Sequence, residues 1–77
     1  METLYVTYGC GTNQANCFSV VKAPDLEKAR GIVWAVCGPN FAFTYPESSW
    51  VVDGVSQEKK YGLREIPLQP QYYNEPW

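Results

Sequence analysis

The chain has 77 residues, six Lys and Arg against eight Asp and Glu, no His, a formal net charge of −2, and three Trp, six Tyr and three Phe. That length suits one small domain. The aromatic content excludes a disordered tail, the charge excludes a nucleic-acid binder driven by phosphate neutralisation, and no apolar run nears the ~20 residues of a membrane span.

Thr3 to Tyr8 reads Thr-Leu-Tyr-Val-Thr-Tyr. Leu4, Val6 and Tyr8 alternate with Thr3, Tyr5 and Thr7, which predicts an amphipathic first strand. Gly9 to Asn16 is a loop, since glycine permits positive φ and Asn bonds to nearby backbone. Cys17 to Val21 predicts a second strand, antiparallel to the first across this long connection. Pro24-Asp25 opens a helix, proline suiting a first turn and the carboxylate favouring the helix dipole. Leu26, Ala29, Ile32, Val33 and Val36 recur on one helical face. Trp34 lies about one position off that face, as a core-edge shield or an exposed anchor. Gly31 inside the helix is read as allowing close packing against the sheet, and Gly38-Pro39 as the stop.

Phe41 to Tyr45 predicts a third strand with Phe41, Phe43 and Tyr45 on one face, ended by Pro46. Trp50-Val51-Val52 fits a strand fragment or a helix start. Asp53 to Tyr61 predicts a short helix ended by Gly62. Leu63 to Leu68 reads as an edge strand, because Pro67 cannot donate to a ladder. The expected fold is therefore α+β: a small antiparallel sheet of about four strands in the order β-β-α-β-(α)-β, with one main helix packed on one face. Residues 1–68 form a single domain, and 69–77 form an aromatic, Pro-containing C-terminal tail that is expected to pack against something. The expected core is Leu4, Val6, Val20, Leu26, Ala29, Ile32, Val33, Val36, Phe41, Phe43 and Ile66.

The cysteines are Cys10, Cys17 and Cys37, an odd count that cannot close into pairs within one chain. With a polar start and no secretory signal, reduced thiols in a cytoplasm are expected. Without His and without a Cys-x-x-Cys pair, neither a metal nor a cofactor is expected.

The Tyr-Gly strand end, Ala29-Arg30 within the helix, and Gly38 followed by Phe41-Ala42-Phe43-x-Tyr45 together resemble a family of small uncharacterised bacteriophage proteins. Tyr61-Gly62-Leu63 and Ile66-Pro67-Leu68 continue that pattern, which covers roughly Leu4 to Leu68. The resemblance implies a phage origin and carries no established reaction, so no catalytic residue transfers. Tyr8-Gly9-Cys10-Gly11-Thr12-Asn13 is also similar to the substrate-holding turn of gamma-glutamyl cyclotransferases. It has an inserted Cys10-Gly11, and those enzymes are longer barrels with a catalytic carboxylate.

No Cys–His pair or juxtaposed acids argue for nucleophilic or general acid–base chemistry, so no enzyme is expected. The first functional reading is a phage-encoded inhibitor that docks on a host protein, such as a CRISPR-type defence component, in the host cytoplasm. Its expected anchors are Trp50, Tyr72, Tyr73 and Trp77, with Glu47 and Asp53 at the rim, since exposed Trp and Tyr dominate interface energetics; for Trp50 the equal alternative is filling the edge of the core. The second is a binder of a small nucleotide signal, held by a ligand loop of Gly9, Gly11, Thr12 and Asn13, whose backbone amides suit an anion. The third is a homo-oligomer assembled through the tail. Neither direct nucleic-acid contact nor a membrane is expected.

Overall fold

The computed structural model describes residues 1–72. They form an α+β domain with elements in the order β1 (Glu2–Thr7), β2 (Cys17–Ala23), α1 (Leu26–Cys37), β3 (Phe43–Pro46), α2 (Glu47–Trp50), β4 (Val51–Val52), β5 (Val55–Ser56), α3 (Gln57–Tyr61) and β6 (Arg64–Glu65). The main sheet has four strands in the order β3-β1-β2-β6, and β4-β5 make a separate hairpin. Strands β1, β2 and β3 pair antiparallel. The last strand departs from the antiparallel expectation, because β6 runs parallel to β2 over Cys17–Phe18. Among the described residues no helix is long and apolar enough to cross a membrane.

The alternation in β1 explains the layering. Leu4 faces Val21 across the ladder, and Val6 faces Ser19. Side chains at these positions share one face of the sheet. The α1 helix covers that face with Leu26, Ala29, Val33 and Cys37, spaced three or four residues apart. The helix is held at both ends. Asp25 accepts from the Lys28 N–H at 2.8 Å, and Gly38 takes a positive φ of 59° while its N–H donates to the Trp34 carbonyl.

The opposite face is also covered. Tyr5 and Phe18 point there, and Trp50 from α2 lies on both, with ring centroids 4.4 Å from Tyr5 and 5.3 Å from Phe18. Tyr45, paired with Tyr5 across the strands, completes the cluster at 5.8 Å from Trp50. The hairpin β1–β2 is therefore wrapped on two sides, aliphatic under α1 and aromatic under α2.

Several expectations are corrected by this arrangement. Ile32 and Val36 are exposed on one flank of α1, and Trp34 on the other, because the buried stripe runs through Ala29, Val33 and Cys37. Gly31 lies on the outer side of the helix, where an added Cβ meets nothing within 4 Å, so it makes no close approach to the sheet. Phe41 precedes β3 and packs edge-on against Trp34 at 5.8 Å, on the helix side. Phe43 is 65% exposed, and Val20 is only half-buried. Asp53 and Gly54 form a tight turn between β4 and β5 with φ of 55° and 77°, so the helix over 53–61 shortens to α3.

Candidate functional site

Two regions collect polar or exposed side chains at the loop end of the β1–β2 hairpin. The first is the connection between these strands. Thr12 Oγ1 donates to the Gly9 carbonyl at 2.6 Å, and the Ala15 and Cys17 amides donate to the carbonyls of Thr12 and Gln14. Gly11 and Asn16 supply the positive φ values, 81° and 64°, that let the loop turn twice. Residues 66–72 run alongside it. The Gly9 N–H donates to Gln71 Oε1 at 2.8 Å, Gln14 Nε2 donates to the Pro70 carbonyl at 2.7 Å, and the Asn13 N–H donates to the Tyr72 carbonyl at 2.8 Å. As an anion cradle, the Gly9, Gly11, Thr12 and Asn13 loop is thus already engaged. The Gly9 and Asn13 amides serve the chain's own C-terminal segment, and the Thr12 amide bonds back to Gly9.

A buried hydroxyl chain anchors the start of that segment. Ser19 Oγ donates to the Ile66 carbonyl at 2.8 Å, which commits its single proton. The Tyr8 hydroxyl, 2.7 Å away, therefore donates to Ser19, and it accepts from the Gln69 N–H at 3.4 Å. Burial raises the Tyr8 pKa, and its hydrogen bonds with Ser19 and Gln69 offset this in part. Burial also raises that of Cys37, whose Sγ–H points at the Gln69 carbonyl at 3.4 Å.

The second region is a cavity of about 290 Å³ lined by Thr7, Tyr8, Cys10, Cys17, Tyr45, Gln57, Tyr61 and Leu63. It opens where β1, β3 and α3 meet. Two exposed aromatics adjoin it. Tyr61, 60% exposed, is part of its wall, and Lys60 Nζ stands 5.4 Å above that ring. Phe43 borders it through two lining residues, pairing with Thr7 across the ladder and lying 6.5 Å from the Tyr45 ring. The pKa of Tyr5, on this side of the sheet, is raised by burial and then by the charges of Glu47, Glu58 and Glu65.

The residues expected as interface anchors are dispersed. Trp50 is only 2% exposed and stacks on Tyr5, so it is a core residue and offers no ring to a partner. Glu47 and Asp53 are exposed, the first opening α2 and the second in the β4–β5 turn. Tyr72 is exposed, with its backbone clamped to Asn13. Tyr73 and Trp77 lie outside the described residues. Cys10 is an exposed free thiol, while Cys17 and Cys37 are buried and free. Among the described residues no group of three or more His, Cys, Asp or Glu could hold a metal.

Sequence reasoning missed the cavity. Its wall draws Gln57, Tyr61 and Leu63 from a segment with no clear periodicity, and only pairing of β1 with β3 brings Thr7 and Tyr45 beside them. Comparison with known proteins finds no matching family model, no matching curated protein and no matching solved structure.

Proposed function

We propose that the protein is a non-catalytic binding module that docks on another protein through the face carrying Phe43, Tyr61 and the cavity beside them. The observation that supports this most is the combination of two largely exposed aromatic rings with a preformed recess of about 290 Å³. That volume lies at the lower bound of the roughly 300–1,000 Å³ of small-molecule sites. It suits a single anchoring side chain of a partner, the arrangement in which a few residues seated in pockets carry most of the binding energy. Tyr45 and Leu63 supply apolar wall, and Gln57 and Thr7 supply polar groups that orient an inserted side chain. The exposed carboxylates of Glu47, Glu58 and Glu65 offer contacts to basic groups of a partner. The reading of the partner as a host protein, such as a CRISPR-type defence component inhibited by occlusion, rests on the resemblance of the sequence to small phage proteins.

Capture from host lysate with three full-length baits tests the reading. The native chain retains a stoichiometric protein, Phe43→Ser with Tyr61→Ser loses it, and Trp34→Ser, on the helix side, keeps it. Equal retention by the double variant, or no stoichiometric partner for the native chain, overturns the reading.

A further inference from the structure

The two edges of the four-stranded sheet differ in how they are guarded. One edge is β6, two residues long and exposed, with a charge on each residue, Arg64 and Glu65, and Pro67 shortly after. Short length, charge and proline are the ordinary means of keeping a stray strand off a sheet edge. The other edge is β3, four residues long. It has no proline before Pro46, its last residue, and the chain carries no charged side chain from Gly31 to Pro46. Beyond the ladder to β1 and the Thr7 hydroxyl on the Phe43 carbonyl, no hydrogen bond among the described residues involves Phe43, Thr44 or Tyr45. Backbone groups alternate in direction along a strand, so those that do not meet β1 face outward. The α2 helix, which follows β3 directly, sends Trp50 back onto Tyr5 on the face of the sheet.

We infer that the free edge of β3 binds an extended peptide segment of the partner protein, which joins the four-stranded sheet as a further strand. This rests on the docking reading and names the form in which the partner presents its anchor. Only another extended main chain offers N–H and C=O groups at the strand repeat, so hydrogen-bond chemistry selects the occupant. Side chains of an added strand alternate between the two faces of the sheet. Every second one falls on the face shared by Phe43 and Tyr45, and Tyr45 belongs to the wall of the recess. The segment thus pairs through its backbone while one alternate side chain enters the recess beside Tyr61. A second copy of this chain fits the edge poorly. The antiparallel register that uses all four residues of both β3 strands sets Phe43 against Pro46, which has no N–H to give. It also places Glu47, where α2 begins, opposite Ala42 of the other copy.

The test uses the full-length chain and, as probe, a random dodecapeptide library. Selection is expected to enrich peptides whose main-chain protons show NMR contacts to those of residues 43–45, with the outward amides of β3 slowed in exchange. N-methylation of a selected peptide, one residue at a time, then reads the pairing without altering the protein. Methyl groups on one alternate set of amides weaken binding roughly tenfold, the loss of one backbone bond, and those on the other set leave it unchanged. A library that yields no binder, a binder without main-chain contacts to β3, or a methylation profile without a period of two overturns the inference. So does a native chain that is already a dimer paired through β3. Failure here leaves lysate capture through Phe43 and Tyr61 standing. Failure of that capture beside a period-two profile removes the docking reading and leaves the edge as a peptide site.

Discussion

The Tyr5 ring lies flat on the Trp50 indole, with centroids 4.4 Å apart and planes 1° from parallel. This stack closes the face of the sheet that α1 does not reach, and Phe18 and Tyr45 pack around it. Trp50 is the largest side chain in the layer and is almost fully buried. Its truncation leaves a cavity over Tyr5 and Phe18. Trp50→Ala is expected to lower unfolding free energy by about 3–5 kcal/mol, read from the urea midpoint at constant slope. A loss below about 1 kcal/mol would mean the ring is not packed as described.

Gly31 gives the opposite sign. It sits in the exposed middle of α1, and a Cβ there meets nothing. Gly31→Ala should therefore stabilise the chain by about 0.5–1 kcal/mol, the backbone entropy that glycine loses in a helix interior. Destabilisation in the same urea experiment would place the helix closer to its neighbours than the structure does.

The Tyr8–Ser19–Ile66 chain links both central strands to the start of the C-terminal segment. Ser19→Ala removes the hydroxyl that relays between them and leaves two buried polar groups short of a partner. A loss of about 1–3 kcal/mol is expected, together with faster amide exchange at Gln69 and Gln71. Unchanged exchange at both amides would show that the segment is held independently of this chain.

Stability should also fall at alkaline pH. Tyr5, Tyr8 and Cys37 are all raised above their ordinary values, 10.0 for the tyrosines and 9.0 for the thiol, with burial the leading cause in each. The folded state thus holds these protons longer than the unfolded one. Their contribution is complete below the unfolded values and is lost as pH rises through the folded ones. The melting temperature should be flat from pH 7 to near 9 and decline above it, with a shallower decline for Tyr8→Phe. A melting temperature that rises between pH 9 and 11 contradicts this.

Local patterns in the sequence account for much of the fold. The period-two alternation of Leu4, Val6 and Tyr8, the Asp25 cap and the Gly38 stop each act within a few residues, so β1 and α1 were legible to within a residue or two. Where two strands share a two-sided environment, alternation stops telling inside from outside. Phe18 and Val21 lie on opposite faces and both are buried, so neither stood out. The neighbours of Trp50 lack periodicity, so the sequence leaves anchor and core edge equally open; its burial is set by Tyr5, 45 residues earlier. The candidate site was less legible still. Tyr61 and Phe43 look like ordinary element residues until β3 pairs with β1 and α3 closes over the end of the hairpin.

Docking through Phe43 and Tyr61 fixes which surface a partner covers. Hydrogen exchange on the full-length chain, free and bound to the captured protein, measures this directly. Docking at the proposed face predicts added protection over residues 43–46 and 57–63, with α1 unchanged. Protection confined to α1, with those two segments exchanging as in the free chain, would contradict it.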